Sequence, residues 1–188
     1  MTDDTLLDLY LKGDVKAFES IVSLHEESLL RFARRLAADH AMAQDAVQET
    51  FIRLIRDASR LRQHESLTTW LYRVCRNLCL DAVKRESRMH RRHVDAAQAE
   101  TYMTERAEIE SLEERALVTR KLSELPPKER EALYLKIIEG KSYKEISEVT
   151  GISIGHVGYL IHHGLKRLAR VLQVAGVIEV KPRMGEVS

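Results

Sequence analysis

The stretch "SYKEISEVTGIS", Ser142 to Ser153, constrains this chain more than any other. A serine followed three residues on by glutamate forms a capping box: the Ser142 hydroxyl accepts from the Glu145 backbone N–H, and the Glu145 carboxylate reaches back to the backbone N–H of Ser142. A short helix through Ile146 and Val149 then meets Gly151, suited to a positive backbone angle, and Ser153, suited to cap a second helix. In that second helix Ile154, Val157, Ile161, Gly164 and Leu168 recur at alternating steps of three and four residues, one stripe of an amphipathic helix. Two helices joined by a tight glycine turn have the spacing of a helix-turn-helix, whose first helix crosses a phosphate backbone and whose second enters the major groove. The second helix also carries Gly155, Gly158 and Gly164 and few charges.

The rest of the chain also reads as helical. A first short helix in "LLDLYLKGD" stops near Gly13, and Asp14 caps a second with apolar positions Phe18, Ile21, Val22, Leu29, Leu30, Ala33, Leu36 and Ala37. A third carries Ala46, Val47, Ile52 and Ile55, with Phe51 adding a large apolar side chain. After the polar break "RLRQHES", a fourth has an apolar stripe of Leu67, Trp70, Leu71, Val74, Leu78 and Ala82, with Arg73, Arg76, Asn77 and Lys84 mainly on the other face. The pattern weakens from about Glu86 to Glu110 and returns at Leu112. Pro127 suits the first turn of a helix and Gly140 its stop. With no strand signal and no internal repeat, the expected fold is all-α: two small helical domains, residues 1–93 and 112–173, joined by a flexible linker at 94–111 and followed by a tail at 174–188.

Net charge at pH 7 is only +1, so distribution matters more than the sum. Nine lysines and arginines face three acids between Arg60 and Arg92, whereas six glutamates face two arginines between Glu100 and Arg115. Such blocks indicate segments with different electrostatic roles. No apolar run is long enough to span a bilayer, and the acidic "MTDDTLLDLY" is unlike a secretory signal, so a cytoplasmic protein is expected. Cys75 and Cys79 lie one helical turn apart, too close for an ordinary disulfide and without a matching Cys or His pair for zinc; they read as small core or half-buried residues. The histidines, including "HRRH" at His90 to His93, show no metal spacing. No nucleophile–base pair or phosphate-cradling loop appears, so neither enzyme activity nor a cofactor is expected.

Three segments together, "DAVQETFIRLIR" (Asp45–Arg56), "TWLYRVCRNLCLDAVKR" (Thr69–Arg85) and "LPPKEREALYLKIIEGKSYKEISEVTGIS" (Leu125–Ser153), resemble the extracytoplasmic-function group of bacterial RNA polymerase sigma factors in order and spacing. The resemblance runs from about Leu6 to Leu172. It implies a subunit that binds core RNA polymerase, through the β′ clamp helices and the β subunit, recognises the −35 and −10 promoter elements, and promotes melting of the latter. By this resemblance, Asp45, Gln48, Glu49, Phe51 and Arg53 dock on the clamp helices, with Phe51 either the apolar anchor of that face or simple core. Asn77 matches the family's base-contacting asparagine, while Arg73, Arg76, Lys84 and Arg85 neutralise phosphates of the −10 region.

The loop "RLRQHESLTT" corresponds to a wall of the family's base pocket, but Leu61 and Leu67 stand where phenylalanine is common, which weakens stacking on a captured base. Trp70 and Leu71 lie on the apolar stripe and read as core. In the second helix of the pair, relatives usually carry basic residues at the positions of Gly158, Leu160, His163 and Leu165. Contact with the −35 element here therefore falls to Gly155, His156, Tyr159, His162 and His163, with Lys166, Arg167 and Arg170 toward the far end. Leu160 and Leu165 widen the stripe, either as core or as a seat for an anti-sigma factor. The family's regulation implies such a factor, hiding the face near Gln48 and Glu49. Two other readings compete. A DNA-binding regulator acting without polymerase has no use for the Asp45–Arg56 pattern; a sigma-like decoy fits the sparse charge of the last helix but not the basic helix with Asn77.

Overall fold

In a computed structural model that describes residues 2–61, 66–93 and 121–174, polar caps and left-handed glycines set the helix boundaries. Thr2 caps α1 (Asp3–Leu11), which ends before Gly13 at φ 97°. The Asp14 carboxylate accepts from Lys16 N at 3.0 Å and opens α2 (Val15–Ala33). Asp39 accepts from Met42 N at 2.7 Å at the head of α3 (His40–Leu61), and Ser66 accepts from Thr69 N at 3.2 Å at the head of α4 (Leu67–His93). After Pro126 and Pro127 come α5 (Pro127–Leu133), a π-helical turn (Tyr134–Ile138), α6 (Tyr143–Thr150) and α7 (Ile154–Val174). No strand occurs among the described residues, and no described helix is long and apolar enough to cross a membrane. The expected linker at 94–111, the loop positions Arg62 to Glu65 and the tail after Val174 lie outside the described residues.

Two helical units result. In the first, α3 and α4 pack on each other while α1 and α2 close the bundle. Ile21, Leu29, Leu54, Leu71, Cys75 and Cys79 have no exposed surface, and the Phe32 and Tyr72 rings meet at 5.1 Å. Each fully buried aliphatic side chain contributes about 1.5–3 kcal/mol relative to exposure. The two cysteines are core, as expected: the hydrogen bond with Cys79, reinforced by burial, pushes the Cys75 thiol up and keeps it unreactive. Asp3 ties three helices together, since its carboxylate meets His25 Nε2 of α2 at 3.1 Å and accepts from the Thr68 hydroxyl in the first turn of α4.

Helix α4 runs on through Glu86 to His93, although its apolar pattern weakens there, because "ESRMHRRH" contains no glycine or proline to stop it. Two sequence expectations are corrected by the structure. Ile52 and Ile55 of α3 are 58% and 54% exposed, and Ile154 at the start of α7 is 51% exposed. Val74, Leu78 and Ala82 are only half-buried, the deepest line of α4 being Leu67, Leu71, Cys75 and Cys79.

In the second unit the capping box forms: Ser142 N donates to Glu145 Oε2 at 2.8 Å and Glu145 N donates to Ser142 Oγ at 3.2 Å. Hydrogen bonding to Ser142 holds the Glu145 carboxyl below the usual carboxylate range. The box is therefore at full strength above that range and is lost as pH falls through the lowered value. Gly151 takes φ 74° and Ser153 accepts from His156 N at 3.3 Å, completing the turn into α7.

The glycines of α7 have different reasons. A Cβ at Gly164 would lie 2.8 Å from Leu133 Cδ1 and 3.2 Å from Leu133 Cγ, so the Leu133 side chain of α5 packs directly onto the α7 backbone there. At Gly158 a Cβ would make ordinary contact with the Tyr143 ring at 3.7 Å, and at Gly155 it would meet nothing within 4 Å. Gly164→Val should therefore destabilise this unit by about 1–3 kcal/mol through overpacking, whereas Gly155→Ala should stabilise it by about 0.5 kcal/mol. Thermal melts of the full-length variants check the pair; equal shifts at the two positions would contradict the close crossing.

Candidate functional site

Each unit presents a helix whose buried stripe fixes what faces outward. On α3 the buried line is Ala43, Ala46, Val47, Thr50, Phe51, Leu54, Ala58 and Leu61. At about 3.6 residues per turn, the opposite line holds Asp45, Gln48, Glu49, Ile52, Ile55 and Arg56. Phe51 is only 8% exposed, so of its two sequence readings the core one holds. An apolar centre ringed by polar groups does exist on this helix, but it is made by Ile52 and Ile55. Of the expected members, Asp45 and Gln48 are exposed, while Glu49 accepts from Arg53 Nε at 2.9 Å. Arg56 donates from Nε and Nη2 to the Asp57 carboxylate, both at 3.3 Å, which holds that carboxyl below its usual range.

On α4 the residues Arg73, Asn77 and Lys84 follow one another at steps of four and seven, a single line opposite Cys75 and Cys79. Arg76 and Arg85 flank that line on either side. Asn77, Lys84 and Arg85 are exposed; Arg73 and Arg76 are half-buried. Lys84 Nζ lies 3.8 Å from Asp81, an exposed pair of little energetic weight. Trp70 is core at 7% exposure, and Leu61 and Leu67 are buried at 4% and 1%, so neither leucine is placed to stack on a base.

On α7 the buried line is Val157, Leu160, Ile161, Gly164 and Leu168. This divides the two leucines left open by the sequence: Leu160 is core and Leu165 is 45% exposed. Gly155, His156, Tyr159, His162, Lys166 and Arg170 are exposed and His163 is half-buried. Arg167 is exposed too, yet its Nε sits 3.1 Å from Glu129 Oε2 of α5, whose side chain is 10% exposed. That guanidinium is spent at least in part on the fold. Four rings run along the outer face: Tyr159 lies over His163 at 4.1 Å, His156 meets Tyr159 edge-on at 6.0 Å, and His162 meets His163 edge-on at 5.7 Å. No cluster of three metal-ligating side chains exists among the described residues.

Residues 21–89 match the family Sigma-70 region 2, and residues 115–168 match Sigma-70, region 4. The ECF RNA polymerase sigma factor SigW of Bacillus subtilis is 30% identical, the match covering 86% of this chain and 92% of SigW. RNA polymerase sigma factor CarQ of Myxococcus xanthus is also 30% identical, over 88% of this chain and 95% of CarQ. In fold, the chain is similar to CnrH in complex with the cytosolic domain of CnrY (TM-score 0.65, 24% identity, 92% of this chain and 97% of that one). It is also similar to the sigma factor RpoE in complex with the anti-sigma factor NepR from Bartonella quintana (TM-score 0.64, 23% identity, 85% and 99%).

The division of α3 into two faces has a direct check. Phe51→Ala should cost about 3–5 kcal/mol of stability, while Ile52→Gln, on the exposed line, should stay within about 0.5 kcal/mol of the parent chain. Chemical denaturation of both variants measures this; comparable losses would mean that the two faces have been misassigned.

Proposed function

The chain belongs to the extracytoplasmic-function sigma factors of bacterial RNA polymerase, and from that premise we propose how its two helical units divide the work. As such a factor it binds core RNA polymerase, recognises the −35 and −10 promoter elements and promotes melting of the DNA for initiation. In our reading, residues 1–93 bind polymerase and handle the −10 element, 94–111 connect, 112–173 handle the −35 element, and 174–188 form a tail. The protein works in the cytoplasm and supplies recognition and strand separation, the catalytic centre being the polymerase's own.

The observation that carries the assignment of polymerase docking to α3 is its outer line, where Ile52 and Ile55 stand more than half exposed between Asp45, Gln48, Glu49 and Arg56. Two bare isoleucines side by side cost solubility without helping the fold, whereas an apolar anchor inside a polar ring gives a partner both affinity and register. Ile52 and Ile55 thus take the role that the sequence offered to Phe51. On α4, Asn77 presents an amide able to donate and accept at a base edge, with Arg73, Arg76, Lys84 and Arg85 on the flanking phosphates. Capture of unstacked bases drives strand opening, because the protein gains those contacts only with the separated strand. On α7, the face from Gly155 through His156, Tyr159, His162, His163 and Lys166 meets the −35 duplex, with Arg167 shared between Glu129 and phosphate. For control we infer an anti-sigma factor that covers the α3 face around Gln48 and Glu49, so that its release restores polymerase binding by mass action.

Holoenzyme assembly and run-off transcription with purified core enzyme separate these roles. Ile52→Asp with Ile55→Asp should weaken core binding at least tenfold, about 1.4 kcal/mol, with thermal stability retained. Asn77→Ala should form holoenzyme normally but give fewer permanganate-reactive thymines in the −10 region. Normal core binding by the double aspartate variant would remove the docking face from α3.

A further inference from the structure

From Ile154 to His163, the first three turns of α7, the sequence contains no lysine, arginine, aspartate or glutamate. The N-terminal part of a reading helix is the part that meets base edges, and duplex DNA presents a dense row of phosphates beside them. Fixed cations begin only at Lys166, and Arg167 is paired with Glu129. The groups in those three turns that can become positive are therefore His156, His162 and His163, two of them exposed and the third half-buried.

Their surroundings favour such a role. Ring contacts to Tyr159 and between His162 and His163 hold the imidazoles in one row on the outer face, and the π-face of Tyr159, 4.1 Å from His163, suits a neighbouring cation. The charged and titratable side chains on the neighbouring helices are Lys128, Glu129, Arg130 and Glu131 of α5, and Tyr143, Lys144, Glu145 and Glu148 of α6. Among them Glu129 engages Arg167, Arg130 donates to Leu125 O at 2.9 Å, Glu145 closes the capping box, and the Tyr143 ring lies against Gly158 with Lys136 Nζ 5.4 Å from its centroid.

We propose that the histidine row of α7 supplies the cationic contacts to the −35 duplex, so that promoter binding takes up protons at His156, His162 and His163. The inference rests on the reading of α7 as the −35 helix and deepens it. Histidine is the side chain whose ordinary charge change falls within the physiological pH range. An adjacent phosphate favours the imidazolium over the neutral ring, so the DNA-bound state holds more protons than the free state. Affinity then rises as pH falls from 8 to 6, by up to about tenfold per pH unit for each proton taken up. A chain with arginines at these positions would carry the same contacts at every pH in that range.

The test is equilibrium binding of holoenzyme to promoter fragments with an intact or a scrambled −35 element, followed by fluorescence anisotropy at pH 6, 7 and 8 over a salt series. With the intact element, wild type should bind at least about tenfold more tightly at pH 6 than at pH 8, and its affinity should fall more steeply with salt at pH 6, because protonated histidines displace additional counterions. The scrambled element should remove both effects. The triple variant His156→Gln, His162→Gln, His163→Gln keeps polar side chains without the charge and should lose the pH dependence. Binding that needs the −35 element yet shows the same pH and salt profile in wild type and variant overturns the proton linkage and leaves the reading of α7 standing. Binding indifferent to the −35 element at every pH overturns both. Comparing the two elements on wild type keeps the result decisive even if the variant folds poorly.

Discussion

The crossing of α7 over α5 at Gly164 governs what the second unit can present. With Leu133 fully buried and the absent Cβ of residue 164 only 2.8 Å from it, α7 cannot roll about its axis without either opening a gap or driving Leu133 into its neighbours. Fixing that contact also directs Val157, Leu160, Ile161 and Leu168 inward, and the aromatic row is what remains outside. The residue that costs helix propensity in the middle of α7 is thus the one that sets its orientation. A glycine that looks like a weakness in a one-dimensional reading is a packing requirement in three dimensions.

A comparable constraint acts in the first unit, with an adjacent pair of residues as its pivot. Phe51 and Ile52 are both large and apolar, but they lie about 100° apart around the helix, and only Phe51 falls within the buried arc. The helix buries Phe51 together with Leu54 and Ala58, and Ile52 is carried outward with Ile55. The exposed isoleucine line and the core are consequently two outcomes of one rotation. The same holds on α4, where burying Cys75 and Cys79 leaves Arg73, Asn77 and Lys84 facing away. Small side chains in the buried line let α3 and α4 pack closely, and the long polar ones are displayed on the far side.

What was legible in the sequence was local. Asp14, Ser142 with Glu145, Ser153 and the left-handed glycines at 13, 140 and 151 act within four residues of themselves, so their capping and stopping roles follow from spacing alone. The choice between Phe51 and Ile52 was not legible, because either could complete a helical stripe and only the partner helix decides. The π-helical turn at Tyr134–Ile138 escaped for a related reason: its wider ring depends on how the chain leaves α5, and "YLKII" has no residue that announces it. The pairing of Arg167 with Glu129 joins positions far apart in sequence, so it cannot be read from the charges of α7 alone. The outward row of α7 was read nearly complete, since exposure on an amphipathic helix follows directly from its period.

The carboxylate of Asp3 bears on how the first unit is made. Its bond to Thr68 spans 65 positions, so it cannot close until the start of α4 has left the ribosome and the intervening helices have folded back. Closing so long a loop is entropically costly, and it is repaid only once α2 and α4 already lie side by side to present His25 and Thr68 together. The Asp3 carboxylate therefore secures the start of α4 only once α1, α2 and α4 have come together.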